Sequence, residues 1–158
     1  MRKILNIVSL IIFFILLSSE LNAQCPKKLD GVWTVTGFSG ELWFAKEKDI
    51  INKNQQFFKG SAEGVFYSCD YGGQSSTYNS YTIKEFLKNK EFKELSKVFA
   101  ENNFSNNKTE VFVNRITCNG KKISDRKVMY PFVTVCDSDK GFYIYEGAII
   151  TLEKIKNY

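Results

Sequence analysis

The pattern that most constrains this chain is a change of hydrophobic period. Over most of its length short runs rich in β-branched and aromatic residues, bounded by turn residues, read as strands, in which successive side chains point to opposite faces. Within residues 29–38, Val32, Thr34 and Thr36 alternate with Trp33, Val35 and Gly37, and the composition is rich in the β-branched and aromatic residues that suit a pleated surface. Residues 41–45, 55–58 and 63–71 read as further strands, with a short one at Ile50 and Ile51 and a loop by composition at Gly72 to Ser76. The period then shifts. Thr82 and Glu85 have the spacing of a capping box, and apolar residues at 83, 86, 87, 92, 95, 98 and 99 follow at near-helical intervals. The step from Leu87 to Phe92 breaks phase, which predicts a bend or two short helices near Asn89. After Thr109 the strand pattern returns over 110–118, 128–136, 142–145 and 148–155, with turns at Asn119-Gly120 and 137–141. Pro131 marks an edge or a bulge. The expected fold is therefore mainly β, on the border of all-β and α+β: a single antiparallel barrel or sandwich with one mid-chain helical insertion at about 82–101.

The first residues carry a different signal. Met1-Arg2-Lys3 is a short basic stretch, residues 4–17 are apolar apart from Asn6 and Ser9, and a more polar segment ends in Ala23. These are the three parts of a secretory signal peptide, read here as residues 1–23, which leaves residues 24–158 as one exported domain. The apolar run falls short of the roughly 20 residues that span a bilayer, so no stable membrane span is expected once the signal is removed. The protein is accordingly expected in the periplasm or outside the cell, with a bacterial envelope favoured. All four cysteines, Cys25, Cys69, Cys118 and Cys136, follow the signal. An even count in an oxidising compartment points to two disulfides, in any of three pairings. A zinc site is disfavoured, because the chain has no C-x-x-C and no histidine.

Charge and missing motifs narrow the function. The formal charge is +5, but lysines sit beside glutamates (Lys84/Glu85, Lys90/Glu91, Lys93/Glu94) and form no concentrated basic face, so nucleic acid is not an expected partner. Without histidine there is no Ser-His-Asp or Cys-His arrangement and no usual neutral-pH base. Gly72-Gly73 lacks the Gly-Lys-Ser/Thr of a phosphate loop. The run Asp137-Ser138-Asp139-Lys140-Gly141 begins like a calcium loop, yet its twelfth position falls on Ala148, so it reads as a hairpin turn. We expect no catalytic residues, no metal and no cofactor.

Aromatic residues offer the positive signal. The chain has 14 Phe, 8 Tyr and 2 Trp, and only Phe13 and Phe14 precede residue 24, so nearly all of them serve the exported domain. Many fall on predicted strands, where they can fill a core or line an apolar pocket. Trp33, Trp43, Phe66 and Tyr143 are the candidate ligand-binding residues. Leu29-Asp30-Gly31-Val32-Trp33 resembles the G-x-W that opens the first strand of lipocalin-like barrels. That resemblance implies a tryptophan closing the barrel bottom and a cavity above it for a small hydrophobic molecule. It departs from the family in its mid-chain helix, and in Cys69-Asp70-Tyr71 and Arg126, which match later family motifs only loosely. The expected function is a non-catalytic exported binding protein for a small apolar molecule or for an envelope or extracellular protein. The alternative is an inhibitor of a secreted enzyme, presenting a loop at 71–81 beside Cys69.

Overall fold

The computed structural model describes residues 29–43, 45–70, 76–104, 109–119, 127–128, 130–136, 138–145 and 147–157. The expected signal segment 1–23, Cys25, Gly72 and Gly73, Gly120, Arg126 and Asp137 lie outside the described residues. Ten strands are present: β1 (Gly31–Ser39), β2 (Asn54–Phe58), β3 (Ser61–Gly64), β4 (Cys69–Asp70), β5 (Ser76–Thr82), β6 (Glu110–Cys118), β7 (Lys127–Val128), β8 (Phe132–Val135), β9 (Lys140–Tyr145) and β10 (Ala148–Lys156). They form one antiparallel sheet in the order β4-β3-β2-β1-β10-β9-β8-β6-β5, with the two-residue β7 paired alongside β6. Three short helices accompany it: α1 (Glu47–Ile50), α2 (Ile83–Lys88) and α3 (Leu95–Glu101). None of the helices among the described residues is long and apolar enough to cross a membrane.

The sheet curls into a half-barrel rather than splitting into the two layers of a sandwich. Phe57 on β2 and Phe132 on β8 have ring centroids 5.2 Å apart, although four strand steps separate them. On a flat sheet those steps would span about 19 Å. Trp33 on β1 meets Phe132 at 5.1 Å across three steps. The face carrying these rings is therefore concave. Register shifts in β1 against β10, between Val32 and Trp33 and between Val35 and Gly37, add the local twist that bulges supply.

Strand parity divides the core between the two faces. Trp33, Val35, Phe57, Tyr67, Ile116, Phe132, Tyr143, Ile150 and Leu152 fill the concave side. Val111, Val113, Val133, Val135, Phe142 and Ile149 point the other way and are covered by the helical insertion through Ile83, Phe86, Phe92, Leu95, Val98 and Phe99. The insertion has the expected capping box: Glu85 N–H donates to the Thr82 hydroxyl, and Thr82 N–H donates to the Glu85 carboxylate at 3.0 Å. It breaks at Asn89, whose side chain accepts from Glu91 N–H at 3.1 Å and starts a turn of 3₁₀ helix over Lys90–Phe92. Arg115 on β6 anchors that turn by donating to both Glu91 oxygens, at 2.8 and 2.9 Å.

Four local expectations are corrected. Of the expected strand 41–45, the described residues 41–43 and 45 form none: Gly40, at φ +91°, turns the chain out of β1, and Trp43 is left 66% exposed. Ile50 belongs to α1 rather than to a strand, and it is buried there. The span 63–71 is not one strand, because residues 65–68 are irregular between β3 and β4. Ser76–Thr82, assigned partly to a loop and to the exposed inhibitor segment, is the edge strand β5, paired along its length with β6.

Candidate functional site in the concave face

Gly31 and Gly141 let the concave face close on itself. Gly31 has φ +144°, a conformation that side chains resist, and a Cβ there would collide with the Lys156 carbonyl. The glycine of Gly31-Val32-Trp33 thus has a purely local reason. Trp33 follows it into the core, where its indole N–H donates to Leu29 O at 2.9 Å and the Lys154 ammonium lies 5.2 Å from its ring. Gly141 sits beneath the Trp33 and Phe132 rings, and an added Cβ would come within 2.9 and 2.7 Å of them. At this level the trough is filled with rings. Burial of a tryptophan in a curled sheet is a general packing outcome, so this geometry does not single out the lipocalin-like family.

Further along the trough the rings come to the surface. On β9 the parity that turns Phe142 and Ile144 towards the helices turns Tyr143 and Tyr145 into the trough. Tyr143, only 2% exposed, is the hub: Phe66 lies 4.7 Å away, Tyr67 5.2 Å, Tyr145 6.1 Å and Tyr130 6.5 Å. Tyr145 continues the run to Tyr130 at 4.7 Å and to Trp43 at 6.3 Å. Tyr67 carries it inward to Phe57 at 5.6 Å and so to Phe132 and Trp33. A continuous aromatic path therefore joins buried Trp33 to a rim where Tyr130 is 42% and Trp43 66% exposed.

The four residues singled out from sequence are all on this path, but not at one point of it. Phe66 and Tyr143 touch, Trp43 reaches them through Tyr145, and Trp33 lies at the opposite end. Tyr130 and Tyr145 join them at the rim and were not among the four. The two-residue step from Tyr143 to Tyr145 carries the signal for the second. Tyr130 carries the same two-residue step to Phe132 within the expected strand 128–136, although the structure leaves it in the irregular connection that leads into β8.

The polar chemistry of the trough is that of neutral hydroxyls. Tyr67 O–H donates to the carbonyl of Tyr130, tying the irregular segment 65–68 to the connection that leads into β8. Burial pushes both the Tyr67 and Tyr143 phenols above their ordinary value of 10.0; Tyr143 pushes Tyr67 further up, and Tyr145 and Tyr130 do the same to Tyr143 against the opposing pull of its hydrogen bond with Tyr67. The folded chain therefore holds protons that the unfolded chain releases above that value. Stability is full below the ordinary phenol range and falls as the pH rises through it, by about 1.4 kcal/mol per pH unit per phenol. Denaturant midpoints measured from about pH 8 to about pH 11 should drop accordingly, with two tyrosines ionising only as the chain unfolds. A midpoint that stays level over this range would remove the buried-phenol account.

Among the described residues no three acidic or cysteine side chains group closely enough to hold a metal ion. Cys69 pairs with Cys118, and Cys136 is also in a disulfide. Comparison with protein-family models, curated proteins and solved structures found no match to this chain.

Proposed function

We propose that this is an exported, non-catalytic binding protein that holds a small hydrophobic molecule against the aromatic rim of its half-barrel. The observation that carries the reading is the ring path that surfaces at Trp43, Tyr130, Tyr145 and Phe66 beside the hub Tyr143. Aromatic side chains give a ligand large contact area at little cost in conformational entropy, and their neutral phenols orient it without charge. The filled base means that a ligand would rest on the platform rather than sink towards Trp33. The likeness to lipocalin-like barrels extends, in this reading, to a ligand on the concave face of a curled sheet. Export to the periplasm or beyond is supported by the signal pattern of residues 1–23 and by the oxidised cysteines.

The test uses the neutral apolar probe N-phenyl-1-naphthylamine. It should bind saturably and quench tryptophan emission, and Trp43→Ala should weaken binding about tenfold, the loss of one well-packed aromatic contact. Because Trp43 is exposed, the variant should keep the fold. Absence of saturable binding, or equal affinity in the variant, would overturn the proposal.

A further inference from the structure

The opposite face of the molecule carries a second concavity. α2 and α3 pack their inner residues on the sheet, and between them an open groove of about 410 Å³ remains. Its floor is Ile83, Leu87, Phe99 and Phe104. One wall is low because α3 presents Ser96 and Ala100, one helical turn apart. The other wall is α2 with Lys84 and Lys88 at the same spacing. Both lysines are exposed, and neither has a carboxylate within 4.0 Å among the described residues. Among the acidic side chains of this layer, Glu91 pairs with Arg115 and Glu101 with Lys97, while Glu85 is held in its capping box and also feels the charge of Lys88.

We propose that this groove binds a single-chain anionic amphiphile, with the alkyl tail on the apolar floor and the carboxylate between Lys84 and Lys88. The volume lies within the roughly 300–1,000 Å³ of small-molecule sites. The groove is much too small for a protein: a stable interface takes about 20–30 residues a side, far more than two helices of six and seven residues present here. Two lysines with no carboxylate within 4.0 Å among the described residues, beside an apolar floor, supply complementary halves for a ligand with an anionic head and an apolar tail. This site is independent of the aromatic rim, since it lies on the helix-covered face of the sheet.

The probe is dodecanoate, kept below its micelle concentration and titrated into the full exported domain by calorimetry and by amide NMR shifts. Binding should be saturable, with shifts confined to residues 83–104. Dodecyltrimethylammonium, which has the same tail and the opposite charge, should not bind there. Lys84→Gln with Lys88→Gln should weaken dodecanoate about tenfold. Ala100→Trp, at an exposed position, should abolish binding by filling the groove. Equal binding of the cationic amphiphile, shifts at Trp43 and Tyr145 instead of the groove, or unchanged affinity in both variants would overturn the proposal. So would a concentration-dependent dimer that Ala100→Trp dissolves, because a second copy would then be the occupant.

Discussion

Replacing Cys69 and Cys118 together by serine should cost the folded domain about 4 kcal/mol, the chain-entropy value for releasing a loop of roughly 50 residues. The melting temperature should fall by roughly 12–20 °C for a domain of this size. The bond has this leverage because of where it lies in the sheet. β4 stands at one end of the strand order and β6 lies seven steps away, about 34 Å on a flat sheet. The disulfide holds the two Cα atoms at 5.6 Å. It joins the two sides of the half-barrel opening covalently, where among the described residues no ladder of hydrogen bonds does so. β4 itself pairs with β3 through only two residue pairs, Ser61 with Asp70 and Ala62 with Cys69. Both cysteines are half-buried, so serine hydroxyls reach water and add little penalty of their own. Hydrogen exchange should separate the local effect from the global one. Amides of residues 61–70 should lose protection beyond the global loss, while those of β9 and β10 follow global stability alone. Unchanged protection in 61–70 would mean that the Tyr67 hydrogen bond and ring packing, not the disulfide, hold the opening.

Where the sequence was legible, one physical signal dominated. β1, β6, β9 and β10 carry aliphatic and aromatic residues whose parity matches the two buried faces; Pro131, expected to mark an edge or a bulge within 128–136, instead precedes β8, which is paired on both sides with β6 and β9. The helical insertion was legible down to its internal break, because Thr82 and Glu85 mark its start and the lost phase marks Asn89. β5 was not legible. Its residues, Ser-Thr-Tyr-Asn-Ser-Tyr-Thr, have no aliphatic side chain to report a period, since an edge strand can meet water along one side. The error at 41–45 has the opposite cause. Trp43 and Phe44 have strand-like composition, but the turn at Gly40 takes the chain off the sheet, and Trp43 becomes rim rather than core. Composition pointed to an aromatic site, and Tyr130 meets Tyr145 by continuing the β8–β9 register, but the meeting of Phe57 and Trp33 with Phe132 depends on curling distant strands together, which no local pattern encodes.

The most informative single residue is a glutamine. In Asn54–Phe58 the parity that buries Phe57 also buries Gln55, which is 0% exposed. A polar side chain at a core position conflicts with the pattern around it, and such conflicts mark places where something specific is being satisfied. Here the amide acts as a missing strand. Its Oε1 accepts from the N–H groups of Phe66 and Tyr67 at 3.0 and 2.9 Å, and its Nε2 donates to Tyr67 O at 3.3 Å and Gln56 O at 3.2 Å. Residues 65–68 have no regular ladder, so these bonds place the Phe66 and Tyr67 rings on the aromatic path. Gln55→Leu, similar in size, should leave several backbone groups short of a partner, at about 1–3 kcal/mol each before relaxation. A net loss of about 3–5 kcal/mol is expected, with weaker binding of any ligand that needs Phe66. Gln55→Asn keeps the amide but shortens its reach by one methylene, and should recover little of that loss. Full recovery by asparagine would show that the segment moves to meet any amide. A loss below about 1 kcal/mol for leucine would show that residues 65–68 find water or other partners, and that Gln55 does not build the rim.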